Sequence, residues 1–147
     1  MKSKIGKYIF LLFLFIPFIN LNATELALHG GVENGGQQFY GFYGNWGFLP
    51  FISSEGEYNY NFDTGNKMFS VGVSAKFKFS FFASFARAGI GMRAEELSYS
   101  GVHLFYYLGG GLKFYLAPIM GLKGGITLFN EKELSYYRLY GGVFIEF

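Results

Sequence analysis

The last fourteen residues of the chain alternate between two kinds of side chain, and this alternation limits the fold more than any other feature. Every second residue from Tyr137 to Phe147 is apolar or glycine, and the residues between them include Arg138, Glu146 and phenol groups. A period of two belongs to a β-strand, whose side chains point alternately to two faces. An aliphatic middle with an aromatic residue at each end fits a strand that crosses a bilayer, where rings lie at the two interfaces.

The same period recurs in seven earlier segments, so the sequence predicts eight strands. In the segment 69–79, for example, phenylalanine, valine and alanine alternate with serine, glycine and lysine. Clusters of Gly, Asn, Asp, Ser and Pro separate the segments and predict tight turns. The predicted strands are 24–32, 38–49, 53–62, 68–79, 82–94, 102–116, 120–129 and 134–147.

The strand lengths match a membrane-crossing sheet, since such strands need about 9–11 residues each. An even number of strands also returns the end of the chain to the side where the chain entered. We expect turns near Pro50, Ser80 and Pro118 on the periplasmic side, and those near Gly35, Gly65, Glu96 and Lys132 on the outside.

Residues 1–23 carry the pattern of a cleavable secretory signal peptide, which leaves 24–147 as one barrel domain. Lys2, Lys4 and Lys7 form its basic start, a short apolar run follows, and Ala23 is the expected last residue removed. The chain has 12 basic and 10 acidic residues, so removing those lysines leaves a slightly acidic protein. No basic surface remains that would attract nucleic acid. The absence of Cys excludes disulfides and thiolate metal sites.

The charged residues of the predicted strands fall on the face opposite to the apolar one. A sheet in hydrocarbon must close on itself, and eight strands leave an interior just wide enough for side chains. Charges inside and apolar residues outside are the reverse of a soluble ligand-binding barrel. The predicted inner charges are Glu25, Glu55, Glu57, Lys76, Lys78, Arg87, Lys113, Lys123, Arg138 and Glu146.

Several segments together resemble the small outer-membrane β-barrel family, the OmpA/OmpX-like eight-stranded group. The segments are 54–60, 87–91, 109–116 and 141–147, and the resemblance covers about residues 25–147. It implies location in the cell outer membrane, contact with membrane lipid and lipopolysaccharide, and a monomer. It also implies that Val143, Ile145 and Phe147 belong to the terminal signal that the barrel-assembly machinery reads. Members of the family include packed structural barrels, narrow pores and adhesins, and the short outward turns here differ from the adhesin type.

The inner charges predict an ion-pair network rather than a catalytic centre. Hairpin counting brings Glu55 and Glu57 to the depth of Arg87, with Lys76 close by. Such a network either plugs the lumen, because each buried charge needs a partner, or forms a constriction for small ions. The candidate residues are Glu55, Glu57, Lys76, Lys78, Arg87, Lys113, Lys123 and Arg138.

Other polar residues give weaker indications of function. His29 and His103 lie on strands that are not neighbours, so we expect lumen packing rather than a metal pair. Ser98 or Ser100 near His103 and Glu95 or Glu96 is the one triad-like grouping, a pattern that serves acyl hydrolysis when the groups are in contact. We interpret the charges near the turns as solvated residues that could also contact lipopolysaccharide: Asp63, Lys67, Arg93, Glu95, Glu96, Glu131, Lys132 and Glu133.

The sequence therefore predicts an all-β, eight-stranded antiparallel up-and-down transmembrane barrel that is not an enzyme and needs no cofactor. The expected role is envelope structure, or narrow passive passage of solutes or ions. Two alternatives from other classes stay open at this point, an outer-membrane enzyme that modifies lipid and a soluble ligand-binding barrel.

Overall fold

The computed structural model describes residues 24–95, 101–132 and 134–147, and these form eight β-strands. The predicted signal peptide, residues 1–23, lies outside the described residues. No helix in the described ranges is long and apolar enough to cross a membrane. The strands are β1 (Thr24–Glu33), β2 (Gln37–Gly47), β3 (Ile52–Asn61), β4 (Lys67–Phe79), β5 (Phe82–Ala94), β6 (Val102–Ala117), β7 (Met120–Glu131) and β8 (Leu134–Glu146).

The sheet closes into a barrel. Each strand pairs antiparallel with the next one along the chain, and β8 pairs with β1. Where the first strand meets the last, the Phe147 amide donates to the Thr24 carbonyl over 2.8 Å. A closed sheet has no edge strand, so the backbone donors and acceptors of its strands are paired around the ring. The prediction of an all-β, eight-stranded antiparallel up-and-down barrel is confirmed.

Side chains alternate between the interior and the outer wall. In β1, Glu25, Ala27 and His29 are buried, whereas Leu26 and Leu28 are about half exposed. The same alternation of buried polar and exposed apolar residues recurs on the other strands. The interior is thus polar and aromatic and the outer wall apolar, which is opposite to the arrangement in a soluble ligand-binding barrel.

Two strand ends differ from their predicted positions by two residues, and several others differ by one. β2 ends at Gly47 rather than at Leu49, because the amides of Phe48 and Leu49 both donate to the Ile52 carbonyl and form a tight turn. β7 continues to Glu131, where the sequence alone suggested a turn from residue 130 onward. The extra pairs with the start of β8 continue the alternation and direct the Glu131 side chain inward.

Glycines on the inner face make room for large side chains. Gly72 on β4 pairs with Gly89 on β5. A methyl group on Gly72 would lie 2.3 Å from the Tyr107 hydroxyl, and one on Gly89 would lie 2.6 Å from it. The ring of Tyr107 therefore fills the space that two side chains would otherwise occupy, and its hydroxyl reaches the middle of the lumen.

Candidate functional site

Twelve ionised side chains within the described residues pair with one another in the lumen, and we call them the lumen charge network. They comprise equal numbers of acids and bases. Most are almost completely buried, where an unpaired charge would be costly. The network consists of Glu25, Glu33, Glu55, Glu57, Glu131, Glu146, Lys76, Arg87, Arg93, Lys113, Lys123 and Arg138.

Arg87 on β5 lies between two glutamates of β3 at the middle of the barrel. Its Nε is 2.8 Å from Glu55 Oε1, and its Nη2 contacts the Glu57 carboxylate. The hydroxyls of Tyr43 and Tyr107 donate to the two oxygens of Glu55, over 2.9 and 2.6 Å. Charged hydrogen bonds of this kind are stronger than neutral ones. The structure therefore brings together Glu55, Glu57 and Arg87, as the sequence analysis expected.

Arg138 on β8 forms the next layer, toward the Asn34–Gly36 turn. Its Nη2 is 2.6 Å from Glu33 Oε2, and its Nη1 is 3.3 Å from Glu57 Oε1. The Asn61 amide donates to the second oxygen of Glu33 over 2.5 Å. The guanidinium also stacks 4.0 Å from the centre of the Phe39 ring. Glu57 thus connects the two arginines, and the two layers form one continuous set of contacts.

Glu25 on β1 holds two lysines in the other half of the lumen. Lys113 Nζ contacts Glu25 Oε2, and Lys123 Nζ lies 3.1 Å from Glu25 Oε1. The ammonium of Lys123 is also 3.5 Å from the centre of the Tyr43 ring, a cation–π contact. One carboxylate and an aromatic ring therefore balance two buried cations.

Lys76 does not join Glu55 and Glu57, so that part of the predicted grouping is wrong. Its ammonium is 2.6 Å from Glu146 Oε1, near the end of the barrel where the chain terminates. Tyr115 donates to the other oxygen of Glu146 over 2.8 Å. Lys78 lies at the same end, exposed, with its ammonium 3.9 Å above the Tyr115 ring. Hairpin counting ignores the stagger of a closed barrel, which determines the residues that face each other across the lumen.

Two residues interpreted as solvated turn charges are lumen residues instead. Glu131 is 4% exposed, and Arg93 Nη2 lies 2.9 Å from its carboxylate. His103 Nδ1 is 3.1 Å from the same carboxylate. Asp63, Lys67, Glu95 and Lys132 are exposed, as expected, while Glu96 and Glu133 lie outside the described residues.

The two histidines belong to different groups of contacts. His29 is buried and its Nε2 is 2.7 Å from Asn59 Oδ1, while the Asn59 amide donates to Glu57 over 2.5 Å. His29 therefore packs into the central layer. His103 instead contacts Glu131, at the end of the barrel where the turn after β7 lies. Ser98, Ser100 and Glu96, the remaining members of the triad-like grouping, lie outside the described residues.

Sequence reasoning missed several partners of the network. Glu33 and Glu131 stand beside turn residues, yet both continue the inward period of their strands and are buried. Extending the alternation to the strand ends would have found them. The hydroxyls of Tyr43 and Tyr107 had no such signal, because an inward tyrosine does not reveal which carboxylate it reaches.

The residues expected to form the assembly signal lie on the outer wall near the chain end. Val143, Ile145 and Phe147 are all exposed. Their side chains continue the apolar surface of β8, opposite in face to Glu146 and Phe144. A role in assembly remains a prediction.

Similarity to known proteins is limited to the fold. No family model and no curated protein sequence matches the chain. The N-terminal β-barrel domain of Pseudomonas aeruginosa OprF is 16% identical, with a TM-score of 0.75 over 86% of this chain and 98% of that one. The outer membrane enzyme PagL is 15% identical, with a TM-score of 0.60 over 82% and 98%. The Yersinia pestis outer membrane protein Ail is 13% identical, with a TM-score of 0.56 over 84% and 99%.

Each of these proteins differs widely from this chain in sequence and shares its architecture, so the likeness concerns backbone geometry rather than a common site. The closed strand order and the structural matches agree with each other. The chain therefore has the fold of the small eight-stranded outer-membrane β-barrels that its sequence resembles.

Proposed function

We propose that the protein is a non-enzymatic integral outer-membrane barrel whose lumen is filled by its own ion pairs, and that it serves envelope structure. The observation that carries this proposal is the lumen charge network, in which six acids and six bases pair across the interior. A path for solutes would have to separate such pairs, and separating a buried pair costs about 3–5 kcal/mol.

The apolar outer wall supports the membrane location. Its strands have 10–16 residues, long enough to span a bilayer, which takes roughly 9–11. Two of the similar proteins are described as an outer membrane enzyme and an outer membrane protein, the latter in a phospholipid nanodisc. In this proposal residues 1–23 export the chain, the barrel-assembly machinery inserts it as a monomer, and exposed Lys67 and Lys132 face lipopolysaccharide.

Two measurements test the proposal. The protein should fractionate with the outer membrane, and its mobility on a gel should change on heating, as expected for a barrel that resists detergent until boiled. In planar bilayers the purified protein should give no steady conductance above that of lipid alone. A soluble protein without heat-dependent mobility would contradict the membrane location, whereas a steady conductance would contradict the plugged lumen.

Narrow passive passage is a second candidate, because some buried polar atoms have no protein partner. Among the described residues these include the hydroxyl oxygens of Ser74, Thr127 and Tyr140. Water hydrates buried polar atoms of this kind, so they could line a thin polar path. If such a path exists, exchanging the charges of Glu55 and Arg87 should change the conductance or its ion preference. If the lumen is plugged, neither the wild type nor the charge-exchanged variant should conduct.

A lipid-modifying enzyme is the third candidate, on the ground that Glu131 orients His103 near one end of the barrel. Hydrolysis would also need a nucleophile in contact with the imidazole. Mass spectrometry of lipid A from cells that express the wild type or His103→Ala tests this. The non-enzymatic proposal expects identical lipid A from both strains. A modification that is present with the wild type and lost with the variant would overturn it.

A further inference from the structure

The two ends of the barrel expose different chemistry. At one end the described turn residues include Asn34, Asp63, Thr64 and Lys132, and we call this end the polar rim. At the other end the turns 48–51, 80–81 and 118–119 contain no charged residue. Large apolar side chains at this second end, the apolar rim, are well exposed, namely Phe48, Leu49, Phe51, Phe81, Ile119 and Phe147.

Each turn of the apolar rim is hydrogen-bonded through its backbone to a strand outside its own hairpin. The Phe51 carbonyl accepts from the Lys76 amide and the Phe81 carbonyl from the Tyr115 amide, both over 2.8 Å. The Ile119 carbonyl accepts from β8 over 2.7 Å. A turn that lies in hydrocarbon must satisfy its polar groups within the protein. These bonds meet that requirement for the three turn carbonyls they join.

Aromatic residues of the outer wall are also distributed unequally. The described tyrosines of the wall lie in the half next to the polar rim, whereas the other half carries phenylalanines and Trp46. A tyrosine ring suits a boundary because its hydroxyl stays in water. Phenylalanine lacks that polar atom. The wall tyrosines are Tyr40, Tyr58, Tyr60, Tyr106 and Tyr137, and the phenylalanines next to the apolar rim include Phe77, Phe79, Phe81 and Phe114.

On β6, the longest strand, the apolar wall is taller than one hydrocarbon layer requires. Outward positions of β6 from Leu104 to Leu116 are apolar, aromatic or glycine. At a rise of 3.3 Å per residue and a tilt near 40°, they span roughly 30 Å, against an apolar band of about 25 Å in barrels of this class. Ile119 extends the apolar surface beyond the strand.

An exposed cation lies beside the turn 80–81 at this end. Lys78 forms no ion pair within the described part of the chain, and its ammonium stands over the Tyr115 ring. Basic side chains beside apolar ones bind the anionic surface of a phospholipid leaflet.

We infer that the apolar rim lies within the lipid leaflet, with its turns against phospholipid acyl chains and Lys78 bound to a lipid phosphate, instead of projecting into water. This inference rests on the proposed membrane location. It assigns the three turns a lipid partner, and it displaces the barrel along the membrane normal so that the polar rim projects further into water.

Tryptophan depth measures this directly. The single native tryptophan is first replaced by Trp46→Phe, and then Phe51→Trp, Phe81→Trp or Ile119→Trp adds one reporter at a turn. Each variant is refolded into phosphatidylcholine vesicles that contain phosphatidylglycerol and brominated acyl chains. We expect acyl-chain bromine to quench all three turn reporters, and aqueous iodide to leave them unchanged.

Two matched reporters separate the possible outcomes. Leu108→Trp, at mid-wall, should be quenched by bromine, and Thr64→Trp, at the polar rim, by iodide. If Leu108→Trp is not quenched by bromine, the membrane proposal itself fails. If it is, but the turn reporters respond to iodide, only the present inference fails. Turn reporters shielded from both quenchers would indicate contact with a second copy of the chain at this end and would also overturn the inference.

A charge placed on the rim gives an independent test. Phe81→Lys should lower the folding equilibrium constant in vesicles about tenfold, since a lysine on the lipid face is costly except at the very boundary. Thr64→Lys at the polar rim is the control and should leave that constant unchanged. Equal values for both variants would contradict an immersed rim.

Discussion

The two halves of the lumen hold their charges in different ways. Toward the polar rim, Arg87 and Arg138 each contact two glutamates, and Glu57 is shared between them. Toward the apolar rim, Glu25 alone contacts two lysines. The layers around Arg87 and Arg138, which we call the arginine half, form a chain of alternating charges, whereas the layer around Glu25, the lysine half, is one acid between two cations.

The difference follows from the shapes of the cationic groups. A guanidinium presents five donors in a plane and can serve two carboxylates at once. An ammonium is compact and sits at the end of a flexible stem, so two of them can approach one carboxylate from different strands. The arginine half therefore joins β1, β3, β5 and β8, whereas the lysine half joins β1 to β6 and β7. Each half should respond differently to the loss of one member.

Removal of Arg87 should have the largest effect, because it leaves Glu55 and Glu57 without their shared cation. Arg87→Met should lower the unfolding free energy by about 4 kcal/mol, the usual cost of breaking a buried ion pair. Urea unfolding in lipid vesicles, followed by fluorescence of Trp46, measures this. Adding Glu55→Gln and Glu57→Gln should restore much of the loss. Equal stability of the single and triple variants would contradict the shared-cation arrangement.

Loss of Glu25 should cost somewhat less. Glu25→Gln leaves Lys113 and Lys123 close together without a counter-charge, and we expect a loss of about 3 kcal/mol. Lys123 keeps its cation–π contact with the Tyr43 ring in this variant, which retains part of its stabilisation. A double-mutant cycle with Lys113→Met and Lys123→Met should show coupling of both lysines to Glu25. Coupling of Glu25 to only one of the two lysines would show that this layer is a single ion pair.

Filling the space under Tyr107 should weaken the arginine half without removing a charge. Gly89→Ala brings a methyl group against the Tyr107 hydroxyl and the Val71 carbonyl, and overpacking of this kind costs about 1–3 kcal/mol. Gly44→Ala is the matched control, since its methyl group would meet ordinary contacts at 3.6 Å on the outer wall. The same unfolding assay compares the two. A loss as large for Gly44→Ala would show that strand glycines matter for another reason.

Loss of the ion pair between Lys76 and Glu146 should have the smallest effect. Lys76 and Glu146 have side chains that are 17% and 13% exposed, so Lys76→Met should cost about 1 kcal/mol or less. A double-mutant cycle should show coupling of Lys76 to Glu146 and none to Glu55. Measurable coupling to Glu55 would favour the grouping that the sequence suggested over the one in the structure.

The faces of the strands could be predicted from the sequence, but the contacts across the lumen could not. A one-residue slip would move every apolar side chain of a strand to the wrong side, so the assignments of Glu25, Arg87 and Lys113 to the interior follow from the alternation alone. The partner of Lys76 depends on the tilt and stagger of the strands, which cannot be read from the alternation of side chains. Glu131 was misassigned because its neighbours resemble turn residues, although its register continues the strand.

The pairing of the first strand with the last has a consequence for how the chain matures. Until β8 has been made, β1 and β7 each present an unpaired edge flanked by apolar side chains, and such edges join other chains readily. The pairs that close the sheet extend along both strands, from Glu25 opposite Glu146 to Glu33 opposite Arg138. Folding of this protein therefore requires that the incomplete sheet be kept from pairing with other chains until β8 pairs with β1.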